Sequence, residues 1–132
     1  YKATACTDIT GFGLAGHLFE MLAPNNVELE LSLADLPVID GALETLKQGI
    51  LSSLHADNSL VSRDIFNSEA FQDDPRFDLL FDPQTAGGLL ASVAESRAED
   101  CIKQLRESGY TQAKAIGRVA KTGGQLPALI LK

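Results

Sequence analysis

The chain reads as an α+β domain with helices layered on a mixed sheet, and three stretches of sequence predict it. Leu14, Leu18, Met21 and Leu22 recur at i, i+4, i+7 and i+8, the spacing of one helix face, and the alternation Val27-Glu28-Leu29-Glu30-Leu31-Ser32-Leu33 follows at once. Ala98, Cys101, Ile102 and Leu105 form a second helical stripe. Two short strand-like stretches, Ala115 to Lys121 and Leu126 to Leu131, lie after it. The expected order is helix, strand, helices, strand, helix, strand, strand.

The first helix starts after Gly11-Phe12-Gly13 and stops at Pro24-Asn25-Asn26, where the chain cannot keep a helical ladder. Val27 to Leu33 is a half-buried strand, because its apolar side chains all fall on one face of the pleat. Asp40 to Gln48 forms a short helix with Leu43 and Leu46 inward and Gly49 as its stop. Ser62 to Phe71 is expected to be another helix, and the acidic Gln72-Asp73-Asp74-Pro75 a loop. Leu89 to Ala94 reads as a buried strand. Ser96 and Glu99 have capping-box spacing ahead of the second stripe, which places Cys101 in the core, and Gly109 closes that helix. The last two strands are expected to form a hairpin through Gly123-Gly124.

Length and charge narrow the function. At 132 residues the chain fits one domain with a workable core, and 45% hydrophobic with 22% charged residues is the balance of a soluble globular protein. The net charge of −7 divides into −10 over residues 1–82 and +3 over 83–132. An acidic chain without a basic stripe argues against nucleic-acid binding. No apolar run reaches the length of a membrane span. Cys6 and Cys101 form no motif, and with no secretory signal they read as reduced thiols of a cytoplasmic protein. A chain opening on Tyr1 rather than Met is expected to be a piece of a longer protein, residues 1–132 forming a single carboxy-terminal domain.

Two small-residue motifs carry the chemistry. In Thr7-Asp8-Ile9-Thr10-Gly11-Phe12-Gly13-Leu14-Ala15-Gly16-His17, a carboxylate and three glycines precede or open a helix. Glycine lets a backbone approach a phosphate, and the free N–H groups of a helix start attract anions. Asp8 is a hard oxygen ligand of the kind that holds Mg²⁺ against a nucleotide. On spacing alone the favoured reading is a cap or turn residue, since Asp and Thr before a helix commonly bond its free N–H groups. The second motif, Asp82-Pro83-Gln84-Thr85-Ala86-Gly87-Gly88, is either a ligand-facing turn or a tight entry to the next strand.

Gly11-x-Gly13-x-x-Gly16, with Glu28 or Glu30 near the ribose-binding spacing, also matches a dinucleotide fingerprint. That fingerprint needs a buried strand before it, whereas Ala3 to Asp8 is small and polar, so the match is a decoy. His17 reads as a satisfied structural histidine, and His55, in an expected loop, carries no assignment.

Taken as a set, the motifs have a family. Ala5-Cys6-Thr7-Asp8-Ile9-Thr10-Gly11-Phe12-Gly13-Leu14-Ala15-Gly16-His17-Leu18 resembles the opening of the carboxy-terminal domain of the selenophosphate synthetases. Leu79-Leu80-Phe81-Asp82-Pro83-Gln84-Thr85-Ala86-Gly87-Gly88-Leu89-Leu90 resembles their second signature, in which Ser often stands in place of Ala86. The likeness runs in order along nearly the whole chain, Gly117 included. The wider superfamily contains aminoimidazole ribonucleotide synthetase, whose first motif lacks this Asp-x-Thr-Gly-Phe-Gly form.

The resemblance implies a homodimeric enzyme with a three-layer α/β/α, partly ferredoxin-like carboxy-terminal domain. It implies conversion of ATP, selenide and water to selenophosphate, AMP and orthophosphate, with Mg²⁺ required. It makes Asp8 a metal ligand. The candidate nucleotide-facing positions are Thr10, Gly11 and Gly13 in the first motif and Thr85, Gly87 and Gly88 in the second. The family's reactive Cys or selenocysteine and its catalytic Lys belong to an amino-terminal segment outside this sequence. No catalytic residue is therefore expected here, and Cys6, inside the carboxy-terminal motif, is not that nucleophile. The alternative function is a non-catalytic binding or dimerisation domain of the same superfamily.

Overall fold

The computed structural model describes residues 1–121 and 128–132. Its strands are β1 (Ala5–Asp8), β2 (Val27–Leu31), β3 (Leu89–Ser92), β4 (Gly117–Lys121) and β5 (Ala128–Leu131). Its helices are α1 (Gly13–Leu22), the short α2 (Ala42–Lys47), the one-turn α3 (His55–Asn58) and α4 (Glu95–Glu107). The α+β class and the mixed sheet are as expected. β2 is the centre of a three-stranded sheet, antiparallel to β4 on one side and parallel to β5 on the other. β1 and β3 form a separate antiparallel ribbon.

The core follows from the alternation in β2. Leu29 and Leu31 pair with Leu129 and Leu131, so the register puts all four on one face, and all four are buried. They join one cluster with Ala15, Leu18 and Leu22 of α1 and with Phe77, Leu80 and Phe81. The Phe77 and Phe81 rings meet edge to face, 5.1 Å between centroids. Burial of each such side chain contributes about 1.5–3 kcal/mol, and this cluster anchors α1 and the 77–81 segment to the same sheet. The motif that opens α1 and the motif that follows Phe81 are therefore carried by neighbouring pieces of one core.

Several expectations are corrected. The final strands make no hairpin: β4 and β5 flank β2 on opposite sides, although Gly123 and Gly124 themselves lie outside the described residues. The segment Ser62 to Phe71 is not a helix. It consists of 3₁₀ turns, Ser59–Asp64 and Ser68–Phe71, interrupted by an extended Ile65. Ile65 bridges to Leu129, and the Asn67 side chain imitates a strand, donating to Leu131 O and accepting from Leu131 N–H, each at 2.9 Å. These bonds complete the outer edge of β5, an unpaired polar row that outweighs local helix preference.

β1 is a strand that the sequence reading leaves out. β3 is not buried: its pattern alternates exposed and half-buried, and Leu89 is 80% exposed. The capping box is out of register, because α4 begins at Glu95 with Ala94 as its N-cap and no side-chain cap bond. Cys101 is half-buried on a helix with no buried residue. Gly109 follows the end of α4 as expected.

Polar ties hold the periphery. The Tyr1 hydroxyl donates to Asp100 Oδ2 at 2.6 Å, and that bond chiefly pushes its pKa up to about 12. Lys114 Nζ lies 2.7 Å from Asp35 Oδ1 and holds that carboxyl below its usual range, with Ser32 assisting.

Candidate functional site

The two motifs meet. β1 ends at Asp8, and its register sets Asp8 opposite Leu89, the first residue after Gly88. Ile9 N–H donates to Gly88 O at 2.9 Å, and Gln84 N–H donates to Thr10 O at 3.0 Å. These two bonds stitch the first motif to the second across more than seventy residues of chain. Gly87 is packed so closely on Ile9 O that a Cβ there would overlap it. The tight entry to β3 is thus made by Gly87 against the first motif, whereas Gly88 has open space around it.

Gly13 has its own reason to be glycine. It opens α1 at φ +68°, and a Cβ would lie 2.8 Å from Leu80 O and 2.9 Å from Phe81 C. Gly11 has open space around it and is half-buried. Thr85 and Gly88 are exposed, and Thr10 and Gly87 are half-buried. The six candidate nucleotide-facing positions therefore lie in two directly bonded segments.

Asp8 does not cap α1. The N-cap is Phe12, four residues on, and it makes no side-chain cap bond. The Asp8 side chain is exposed, and among the described residues its carboxylate has no hydrogen-bond or ion-pair partner. The α1 start is also short of partners: among the described residues none accepts from the N–H of Gly11 or Phe12.

His17 is the structural histidine expected. It is buried, its Nδ1 lies 3.1 Å from Glu20 Oε2, and its Nε2 accepts from Thr10 N–H at 3.1 Å. A carboxylate can only accept and an amide N–H can only donate, so the tautomer carries its hydrogen on Nδ1. The imidazole thereby fixes Thr10 against α1. The dinucleotide decoy stays excluded, though for a sharper reason than small side chains. β1 is a strand, yet a short one in an antiparallel ribbon, and a fingerprint strand is a buried parallel one. Glu30, the would-be ribose acid, instead lies 3.1 Å from Lys132 Nζ.

Two residues of the site escape sequence reasoning. His55 is buried, donates from Nε2 to Asp78 O at 3.2 Å and stands edge-on to Phe81. Asn58 donates from Nδ2 to Gly11 O at 2.8 Å and to Phe81 O at 3.0 Å. None of these three bonds has a local signal in the Leu54-His55-Ala56-Asp57-Asn58 run, since all three partners are distant in sequence. Beside Asn58 is an open cavity of about 250 Å³ lined by Phe12, Gly16, Glu20, Asp57, Asn58 and Val61.

An α+β domain with paired small-residue motifs at one edge of its core has a known family. Residues 1–126 match the model described as AIR synthase related protein, C-terminal domain, and the chain belongs to that family. Within it, the chain is similar to proteins named selenide, water dikinase. It is 39% identical over 127 residues to that of Clostridioides difficile, covering 93% of this chain and 35% of the relative. The protein of Pelobacter propionicus is 41% identical over 122 residues, covering 92% and 35%. That of Caldanaerobacter subterraneus is 39% identical over 115 residues, covering 87% and 33%. The chain spans about a third of the length of the curated relatives it matches.

Proposed function

We propose that residues 1–132 are the carboxy-terminal domain of a selenide, water dikinase, contributing one wall of a site for Mg·ATP. The whole enzyme converts ATP, selenide and water to selenophosphate, AMP and orthophosphate, and acts as a cytoplasmic homodimer. Its nucleophile and catalytic lysine belong to an amino-terminal domain outside this sequence. Among the described residues no helix is long and apolar enough to cross a membrane.

The observation that carries the reading is the stitching of the Asp8–Gly13 segment to Gln84–Gly88. It brings together a carboxylate and α1-start N–H groups that have no partner among the described residues, and an exposed small-residue turn. Backbone N–H groups at Gly11 and Phe12 suit phosphate oxygens, and Thr10 and Thr85 offer hydroxyls beside them. Among the described residues no three metal-binding side chains cluster. Mg²⁺ on a nucleotide takes one or two protein carboxylates and fills its octahedron with water and phosphate oxygens. Asp8 is the residue that would hold it. The chemistry such a cation supplies is neutralisation of charge on the transferring phosphoryl group. His17 and Glu20 keep Thr10 in place, and the bonds from Ile9 and Gln84 keep the two loops at fixed separation.

The test separates folding from turnover. The 132-residue chain alone is expected to unfold cooperatively in a thermal melt followed by circular dichroism, because its core is closed by its own elements. The same fragment is expected to release no AMP from ATP and selenide, while the full-length protein does. A fragment that turns over ATP unaided overturns this division of labour. A full-length protein that releases no AMP points instead to a binding or dimerisation domain.

A further inference from the structure

Asn58 joins the two motifs by a route independent of their direct bonds. We infer that Asn58 is a positioning residue: its side-chain amide holds the Gly11 and Phe81 carbonyls together, and so sets the spacing of the two nucleotide-facing loops. The inference rests on the Mg·ATP reading of that surface.

A primary amide carries two N–H hydrogens, and Asn58 uses Nδ2 on two backbone carbonyls, one ahead of α1 and one ahead of Asp82. The opposite amide orientation would set an oxygen against two oxygens, so the geometry defines the donor end. The partners are chosen by place: Gly11 O belongs to the first motif, and Phe81 O leads into the second. Asn58 is also well held. It closes α3, whose His55 is buried against Phe81 and bonded to Asp78 O. The strap is thus anchored on the same 77–81 segment that Gly13 packs against. The Gly11 carbonyl and the Phe12 N–H belong to one trans peptide unit, so the Phe12 N–H points away from Asn58, and among the described residues nothing accepts from it or from the Gly11 N–H. Because Asn58 lines an open cavity, truncation enlarges a space water already reaches and leaves the two carbonyls hydrated. Its loss is therefore expected to disturb loop spacing far more than the fold.

The test uses Asn58→Ala in the full-length protein with Mg·ATP as the probe. Three quantities are compared with wild type: ATP affinity by equilibrium dialysis, the thermal midpoint, and amide hydrogen exchange without nucleotide. The Ile9, Thr10 and Gly13 amides report on one loop and the Gln84 amide on the other, since each is hydrogen-bonded. Expected are a tenfold or greater weakening of ATP binding, exchange at least tenfold faster in both loops, and a midpoint lowered by only a few degrees. Asn58→Asp, which keeps the volume and turns an acceptor toward both carbonyls, is expected to speed exchange at least as much. Unchanged exchange in either loop, or unchanged ATP affinity in a protein whose wild type binds it, overturns the positioning role and leaves the site reading standing. A wild type that binds no Mg·ATP overturns the site reading, and with it the claim that Asn58 spaces nucleotide-facing loops, whatever the exchange shows.

Discussion

Gly13→Ala is expected to destabilise the domain by about 3 kcal/mol or more, whereas Gly11→Ala, two residues away, should leave its stability almost unchanged. At Gly13 the backbone sits at φ +68°, where an L side chain costs about 1–2 kcal/mol. The new methyl would also press on Leu80 O and Phe81 C at 2.8 and 2.9 Å, and these are backbone atoms that cannot rotate aside. Relief requires α1 to move off the 77–81 segment, which opens the core around Phe81. A domain of this size has only about 5–15 kcal/mol in hand, so the loss is a large share of it. At Gly11 nothing lies within contact of the added carbon. Urea unfolding of the two variants beside wild type reads the difference directly. Equal midpoints for all three would mean that the α1 start yields freely and that its glycines are not needed for packing.

That contrast shows how much of this molecule was legible beforehand. The motifs are recognisable as a set, α1, α2 and α4 are visible from their apolar spacing and stop signals, and β2 from its alternation. Their spatial meeting was not visible. β1 hid because Ala5-Cys6-Thr7-Asp8 has no hydrophobic alternation, and its extended form is imposed by pairing with β3. β3 was expected to be buried because Leu89 and Leu90 are apolar, yet a two-stranded ribbon leaves a face open. The Gly-Gly signal suggested a hairpin from local chemistry, while the parallel pairing of β5 with β2 is a long-range choice. Asn67 overrode the expected helix at Ser62 to Phe71 by bonding a strand edge that the sequence gives no way to foresee.

The glycines of the first motif divide accordingly. A dinucleotide pattern would assign them a turn, a pyrophosphate approach and a helix-packing role in order, but here Gly13 answers to backbone strain and packing, Gly16 to contact with Phe12, and Gly11 to neither. Gly11 is the position whose smallness the fold leaves unexplained, and it is the one whose carbonyl Asn58 holds. The polar residues of the one-turn α3, His55 and Asn58, carry information only once their distant partners are known. Their roles were beyond any reading of local pattern.

Asp8→Asn in the full-length protein is expected to cut Mg·ATP-dependent turnover about a hundredfold or more without moving the thermal midpoint. The two halves of that expectation have separate grounds. Stability should hold because the carboxylate is exposed, has no partner among the described residues and caps nothing, α1 starting from Phe12. Asn also preserves the volume and the strand pairing of Asp8 with Leu89. Turnover should fall because a carboxylate facing a divalent cation loses its charge, a change of about 3 kcal/mol in transition-state stabilisation. At about 1.4 kcal/mol per decade, that is two decades in rate. Loss of a ligand should also weaken cation binding, so the Mg²⁺ concentration for half-maximal rate should rise and excess Mg²⁺ should restore part of the activity. A residue that merely shaped the β1–β3 ribbon would show the reverse: a lowered midpoint and a Mg²⁺ dependence like that of wild type. Wild-type turnover at saturating and at limiting Mg²⁺ alike, with an unchanged midpoint, would remove Asp8 from the cation site and leave the nucleotide-facing loops as the chain's whole contribution.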